Sequence, residues 1–376
     1  EIEKQKYDEK LKKHKLSFIP IDKKREGNKT DFILPDDYIN EITSKAQNKR
    51  VLVILNTVNQ AESVYNKIKD KIKEKNDNTI QEENIILFHS RFTLNDKNKI
   101  KESLEEKFKN PKNGNENEGK ILIATQVIEA ALDIDADILY TEICPMDALV
   151  QRMGRVLRRH RENFDMSEND EPNVYVFVFK EGYESGNGYV YDRELIEKTL
   201  ILLKESQNLN NLQWTDYYNN FKEEKENLKK NINFIPSINI LSEYKKFELV
   251  SKLYESLNPS GKYLSNFYKT LDILDAGFMS DRKEEAQRMF REIFSASVID
   301  ESRKEKFVEE IKKLKENSTY TEFKKDIISE FVIQIPYYQI SKNKIGEVIE
   351  WVIEVKNEIN NEKVYNKLLR WCRDIY

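Results

Sequence analysis

The chain has 376 residues, enough for two domains at roughly 100–200 residues each. Charged residues reach 35%, against about 25% in typical soluble proteins, but they cancel to a net charge of −4, so overall charge selects no partner and only local patches can. No run of about 18 apolar residues crosses a bilayer, no secretory leader is visible, and two cysteines, Cys144 and Cys372, cannot make a disulfide framework or a four-thiolate zinc site, so a reducing, cytoplasmic location is expected. Residues 1–35 are polar, lysine-rich and without clear periodicity, and read as a linker. Asp37–Asn48 reads as a helix. Val51–Leu55 is a β-branched strand, and Val58–Lys75 a helix with Ala61, Val64, Tyr65, Ile68 and Ile72 at three- and four-residue spacing. Strands at Ile85–His89, Ile121–Thr125, Ile138–Thr141 and Val174–Phe179 alternate with helices at Leu94–Phe108 and Ala148–Arg158, and 109–120 is a polar loop. Near-continuous apolar strands between amphipathic helices predict an α/β fold on a doubly wound parallel sheet covered on both faces. After Gly182 long helical stretches take over, at Arg193–Leu209, Phe221–Leu228, Lys283–Phe294 and Glu305–Lys315, with Phe331–Ile335 and Val348–Val355 partly strand-like. The expected organisation is a linker and lead-in helix over 1–49, the α/β domain over 50–185 and a mainly helical region over 186–376.

Two segments carry chemistry. Ala124 to Asp135 (ATQVIEAALDID) starts at the carboxyl end of a strand, where open α/β sheets bind ligands. Thr125 and the amides after it can hold a phosphate at a helix N-terminus, and Asp133 can accept from a ribose hydroxyl or orient an arginine. Gln151 to Arg158 (QRMGRVLR) spaces Arg152, Arg155 and Arg158 three residues apart. On one helix these guanidiniums repel each other unless an anion is present, which suits a triphosphate or a phosphodiester, and Gly154 keeps the backbone slim beside them. Thr57, Ser90 and Arg91 lie in loops after strands, with groups suited to phosphate contacts or to ordinary loop capping. His14, His89 and His160 are far apart and none adjoins Asp, so a metal nuclease built on His and Asp is not expected within this chain. His89 reads as a packed or hydrogen-bonded residue and Cys144 as a small core residue. Trp214, Tyr217 and Tyr218 can stack bases, but their helical spacing reads first as core.

The pair of segments resembles motifs V and VI of the superfamily 2 helicases. Val51–Ala61 (VLVILNTVNQA) resembles that superfamily's motif IV region, and Leu87–Thr93 (LFHSRFT) the strand and loop that follow it. Together with Glu142–Arg152 (EICPMDALVQR) these resemble the CRISPR-associated helicase–nuclease of type I systems, densely over residues 50–180 and weakly at 271–278 and 288–294. The resemblance implies a second RecA-like lobe in a protein recruited by Cascade to unwind and help degrade target DNA. It implies arginine fingers at Arg155 and Arg158 with Arg152 as helix support. It implies a nucleotide site that includes Asp133, Gln151 and Gly154. It also implies contacts to single-stranded DNA from Thr57, Ser90, Arg91, Thr125 and Gln126.

Such motors hydrolyse ATP with Mg²⁺ between two lobes, the first supplying the P-loop and the acidic metal-binding motif. Gly114–Lys120 (GNENEGK) matches the P-loop spacing, but Ile121 stands where the metal-binding hydroxyl belongs, Glu116 and Glu118 repel phosphates, and a strand follows in place of a helix. It reads as a surface loop. The acidic motif and the family's HD nuclease pair are missing too. The expectation is a second lobe plus C-terminal region, split from its partner or trimmed. It would bind ATP and Mg²⁺ only with the first lobe present, and would be inactive as an ATPase alone. Its expected partners are the first lobe, the HD nuclease, single-stranded DNA and Cascade, with no membrane. The alternatives are another superfamily 2 DNA helicase, of the repair or restriction kind, or a non-catalytic module that binds nucleic acid or a partner through half a motor.

Overall fold

The computed structural model describes residues 11–21, 24–26, 29–31, 34–74, 80–109, 119–129, 132–159, 164–167, 170–179, 184–186, 188, 190–205, 240–256, 295–314, 318–336 and 367. Its main sheet has seven strands: β1 (His14–Ile21), β2 (Arg50–Ile54), β3 (Ile85–Phe88), β4 (Lys120–Ala124), β5 (Ile138–Glu142), β6 (Val174–Phe179) and β7 (Ile240–Leu241). Their order is β7-β1-β6-β5-β2-β4-β3. Strands β1 to β6 are parallel, and the two-residue β7 joins the edge antiparallel to β1. Helices α1 (Asp36–Lys45), α2 (Val58–Glu74), α3 (Leu94–Lys107), α4 (Met146–Met153), α5 (Arg193–Glu205) and α6 (Glu243–Ser256) lie between or after them.

Every residue of β2, β4, β5 and β6 is buried, as a sheet covered on both faces requires. The period-two pleat divides them between two cores. Leu52, Ile54, Leu122, Ala124, Val174 and Val176 pack with Leu104 of α3, Leu149 of α4, Ile196 of α5 and Leu249 of α6. Val51, Val53, Ile121, Ile123, Tyr175 and Phe177 pack with Ile39 and Ile42 of α1 and with Ala61, Val64 and Ile68 of α2. Each buried Val, Leu, Ile or Phe among them contributes about 1.5–3 kcal/mol by leaving water.

The expected strands from 51 to 179 are present within one residue of their bounds. Three expectations need correcting. Residues 14–21, read as linker, form β1, with Leu16 and Phe18 in one core and Ile19 and Ile21 in the other. The compact unit that holds the sheet continues through α5 and α6, so the packing does not divide near 185. Helix α4 stops at Met153, with Gly154 as its C-cap, instead of running on to Arg158. The chain then turns to make a parallel bridge between Val156 and Ala136, and Leu157 takes a φ of 50°.

In the second unit, β8 (Ser295–Ile299) pairs antiparallel with β9 (Val332–Pro336), and α7 (Lys304–Lys313) packs Phe307, Val308 and Ile311 against Phe323, Ile327 and Phe331. The expected helix at Glu305–Lys315 and strand at Phe331–Ile335 are thus present within two residues of their bounds, and β8 is an added strand among the described residues. The expected helices at 221–228 and 283–294, the strand at 348–355, the aromatics Trp214, Tyr217 and Tyr218, the segments 271–278 and 288–294, and His160 and Cys372 lie outside the described residues, as does most of the 109–120 loop. Lys120 is not loop but the buried start of β4. Among the described residues no helix is long and apolar enough to cross a membrane.

Candidate functional site

In the sheet order, β2 is the point at which the chain reverses: β4 and β3 lie on one side of it, β5 and β6 on the other. Ligands of open α/β sheets bind at the carboxyl ends of strands at such a point. Asn56 stands there, two residues past β2 and 3% exposed. Its amide donates to the Ile143 carbonyl at 2.9 Å and to Glu184 at 3.3 Å, and its backbone oxygen accepts from Gln126 Nε2 at 2.8 Å. Glu184 in turn accepts from the Gly186 and Gly188 amides at 2.7 and 2.8 Å, and Ser185 donates to the buried Glu142 through both its amide and its hydroxyl. Glu142 Oε1 has no protein partner, and burial pushes this carboxyl up to about pKa 7.

Arg152 is the centre of this buried polar layer. It is 0% exposed and donates to Glu129 Oε1 at 2.7 Å, Thr141 Oγ1 at 2.8 Å, the Glu142 carbonyl at 3.2 Å, Asn56 Oδ1 at 3.1 Å and Tyr191 Oη at 2.9 Å. The two chemistry-bearing segments thus run side by side. After the Glu129–Arg152 pair, Arg155 donates to the Glu129 and Leu132 carbonyls. Arg158 pairs with Asp133 at 3.2 Å and its amide donates to Asp135. Arg159 bridges Asp135 and Asp137, where the buried Arg50 also pairs. The three arginines therefore do not share one helix. Their charges are met by the chain's own carboxylates and carbonyls, and no added anion is required to hold them together.

Residues 47–162 match the family model described as the C-terminal part of the CRISPR-associated nuclease/helicase Cas3. This chain is 42% identical over 132 residues to the CRISPR-associated endonuclease/helicase Cas3 of Escherichia coli K12, covering 35% of this chain and 14% of that protein. The chain has a region of Cas3-type helicase C-terminal sequence. The CRISPR-associated nuclease/helicase Cas3 of Methanothermobacter thermautotrophicus is 28% identical over 168 residues, covering 45% of this chain and 18% of that protein, so this chain matches less than a fifth of either relative's length. A crystal structure of T. fusca Cas3 with ADP has the same fold, with a TM-score of 0.56, 16% identity and coverage of 89% of this chain and 37% of that one.

Within the Cas3-like region the expected site residues fall into two groups. Gln151, Gly154 and Asp133 are exposed, and Arg155 and Arg158 are part-exposed. A Cβ on Gly154 would sit 3.3 Å from the Gln151 carbonyl oxygen and 3.4 Å from that of Val150, a tight contact that the neighbouring backbone would have to ease. Burial, then the like charge of Arg158, lowers the pKa of Arg155, although an arginine stays protonated. In the other group, Thr57 caps α2 by accepting from the Gln60 amide and hydrogen-bonds the Ser185 hydroxyl at 3.2 Å. Thr125 is 3% exposed and precedes only a three-residue 3₁₀ turn, not the helix N-terminus expected there. Gln126 is part-exposed. Ser90 is exposed and Arg91 part-exposed, directly after His89, which is buried and paired with Glu62 at 3.4 Å. Cys144 is a buried free thiol, as expected, and burial pushes it up to about pKa 12. Asn56, Glu129, Glu142, Glu184 and Tyr191 were missed. Asn56 and Glu142 carried the signal of a polar residue at the end of an apolar strand, whereas Glu129, Glu184 and Tyr191 lie five or more residues past the nearest strand and carried none.

Among the described residues no cluster of His, Cys, Asp and Glu is arranged to hold a metal ion.

Proposed function

We propose that this chain is the C-terminal half of an ATP-dependent, single-strand DNA translocase of type I CRISPR interference, recruited by Cascade to unwind and help degrade target DNA. The observation that carries the reading is the parallel run of Glu129–Asp137 against Arg152–Arg159 inside the Cas3-like region, with Arg152 buried, Arg155 and Arg158 part-exposed, and Arg158 paired with the exposed Asp133. Arg155 and Arg158 act as arginine fingers on a nucleotide held mainly by a first lobe, which also supplies the site for Mg²⁺. ATP supplies the phosphoryl transfer that drives stepping. This chain supplies fixed cations that neutralise charge developing on the phosphoryl oxygens. Asp133 and Gln151 take part in sensing the nucleotide state. Thr57, Ser90, Arg91, Thr125 and Gln126 line the path of the DNA backbone.

The test uses the motor assembled from this chain and its first lobe. Arg155→Ala or Arg158→Ala should cut ATP turnover by about 10³–10⁵, with single-strand affinity nearly unchanged. Lysine at either position should rescue only in part, because it lacks the planar fork. Ser90→Ala combined with Thr125→Ala should instead lose DNA affinity first. Loss of DNA affinity with intact basal turnover in the arginine variants would make this loop a DNA-binding face and end the finger assignment.

A further inference from the structure

The two proposed fingers flank Val156, and a buried strut made by residues from both ends of the described unit holds Val156. His14 of β1 is 2% exposed, and its Nε2 lies 3.1 Å from the Val156 carbonyl. Its Nδ1 lies 2.5 Å from Lys246 Nζ of α6, and Lys246, 1% exposed, also donates to Glu243 at 2.6 Å. Lysine can only donate, so Nδ1 accepts and the ring proton sits on Nε2, which then donates to Val156. Burial, and next the positive charge of Lys246, hold the imidazole pKa well below its usual value, in keeping with a neutral ring. The opposite side of the loop is also pinned. The Ala136 amide donates to the Arg155 carbonyl, and the Leu157 amide to the Ala136 carbonyl, both at 2.9 Å. The Arg158 amide donates to Asp135 Oδ1 at 2.9 Å. Leu157 keeps its left-handed backbone between these two sets of bonds. An apolar pair would fill the same space with less desolvation cost, but it would leave the Val156 carbonyl without a fixed donor.

We propose that His14 and Lys246 are positioning residues that fix Val156 and so aim Arg155 and Arg158, which makes β1 and α6 part of the nucleotide-sensing machinery. This rests on the reading of Arg155 and Arg158 as fingers. It adds to that reading a dependence on two residues that lie outside the Cas3-like region, at 14 and 246.

The test has two readouts. The first is amide hydrogen exchange in the 376-residue chain, which needs no nucleotide. The second is the split between kcat and KM for ATP in the assembled motor. His14→Phe keeps a ring but removes both hydrogen bonds. It should speed exchange at Leu157 and Arg158 by at least about tenfold with β5 unchanged, and lower kcat by about tenfold with KM within about threefold. His14→Gln, whose side-chain amide can still donate to Val156, should stay near the parent in both. Lys246→Met should repeat the phenylalanine result more weakly, and serves if His14→Phe does not fold. Unchanged exchange at Leu157 and Arg158 overturns the strut. Faster exchange with intact kcat, in a motor where Arg155→Ala abolishes turnover, overturns its role in aiming the fingers. If Arg155→Ala itself leaves turnover intact, the finger reading fails first and the aiming role falls with it.

Discussion

Arg152, Arg155 and Arg158 are evenly spaced in sequence, yet their truncation should have very unequal effects on stability. Arg152→Ala removes five donated hydrogen bonds and leaves the Glu129 carboxylate, 16% exposed, without its cation. Breaking a buried ion pair from one side costs about 3–5 kcal/mol. The neutral acceptors should add less than their full 1–3 kcal/mol each, roughly, because the Thr141 and Tyr191 hydroxyls can reorient and water can enter the space. Arg158→Ala loses only a pair whose side chains are 35% and 71% exposed, which is at most about 0.5 kcal/mol. With a urea slope of about 3 kcal/mol/M, the first change lowers the unfolding midpoint by about 1–1.7 M and the second by under about 0.2 M, as followed by circular dichroism. A companion variant carrying Arg152→Met and Glu129→Gln removes both charges and should recover more than half of the loss. A loss under about 1 kcal/mol for Arg152→Ala, or no recovery in the double variant, would show that the buried guanidinium does not hold this layer together.

The Glu142 carboxyl is protonated in the folded protein up to about pH 7 but ionises near its usual 4.5 when unfolded, so the folded state binds more protons across that window. Its stabilising contribution is complete below pH 4.5 and is lost as pH rises through 7, a change of roughly 3 kcal/mol. Glu142→Gln should flatten that part of the stability profile, and an unchanged slope between pH 5 and 8 would refute it. At Gly119 a Cβ would lie 2.0 Å from the Ala46 carbonyl and 2.8 Å from that of Gln47. Gly119→Ala should therefore cost about 2–3 kcal/mol in thermal or urea unfolding by forcing the end of α1 away from β4, and a neutral result would contradict this packing. The chain should bind single-stranded DNA weakly and without sequence preference, the logarithm of affinity falling with that of salt at about −0.7 per phosphate contacted. Salt-independent anisotropy titrations would rule out backbone recognition.

The parallel strands were legible from the sequence alone. Val51–Leu55 and Val174–Phe179 are apolar at every step, and only a sheet covered on both faces buries such runs. The arginine spacing and the polar positions just after strands also marked the site, because in a parallel sheet those positions necessarily share one edge. Strand β1 was hidden because its four core residues form a short run, interrupted by Pro20 and flanked on both sides by lysines, and pairing with the distant β6 is what makes it part of the sheet. The end of α4 was hidden because the repeat Arg152–Arg155–Arg158 suits a helix equally well. A long-range bridge to Ala136 and the cap at Gly154 terminate it. The partners of those arginines were equally out of reach of local reasoning. Local periodicity determined which segments became strands and helices, and the spacing of Arg152, Arg155 and Arg158 singled them out as candidate site residues. Contacts across large sequence separations, such as His14 with Lys246 or Asn56 with Arg152, alone decided which arginine is buried and which is part-exposed, because burial and charge pairing are properties of the packed chain.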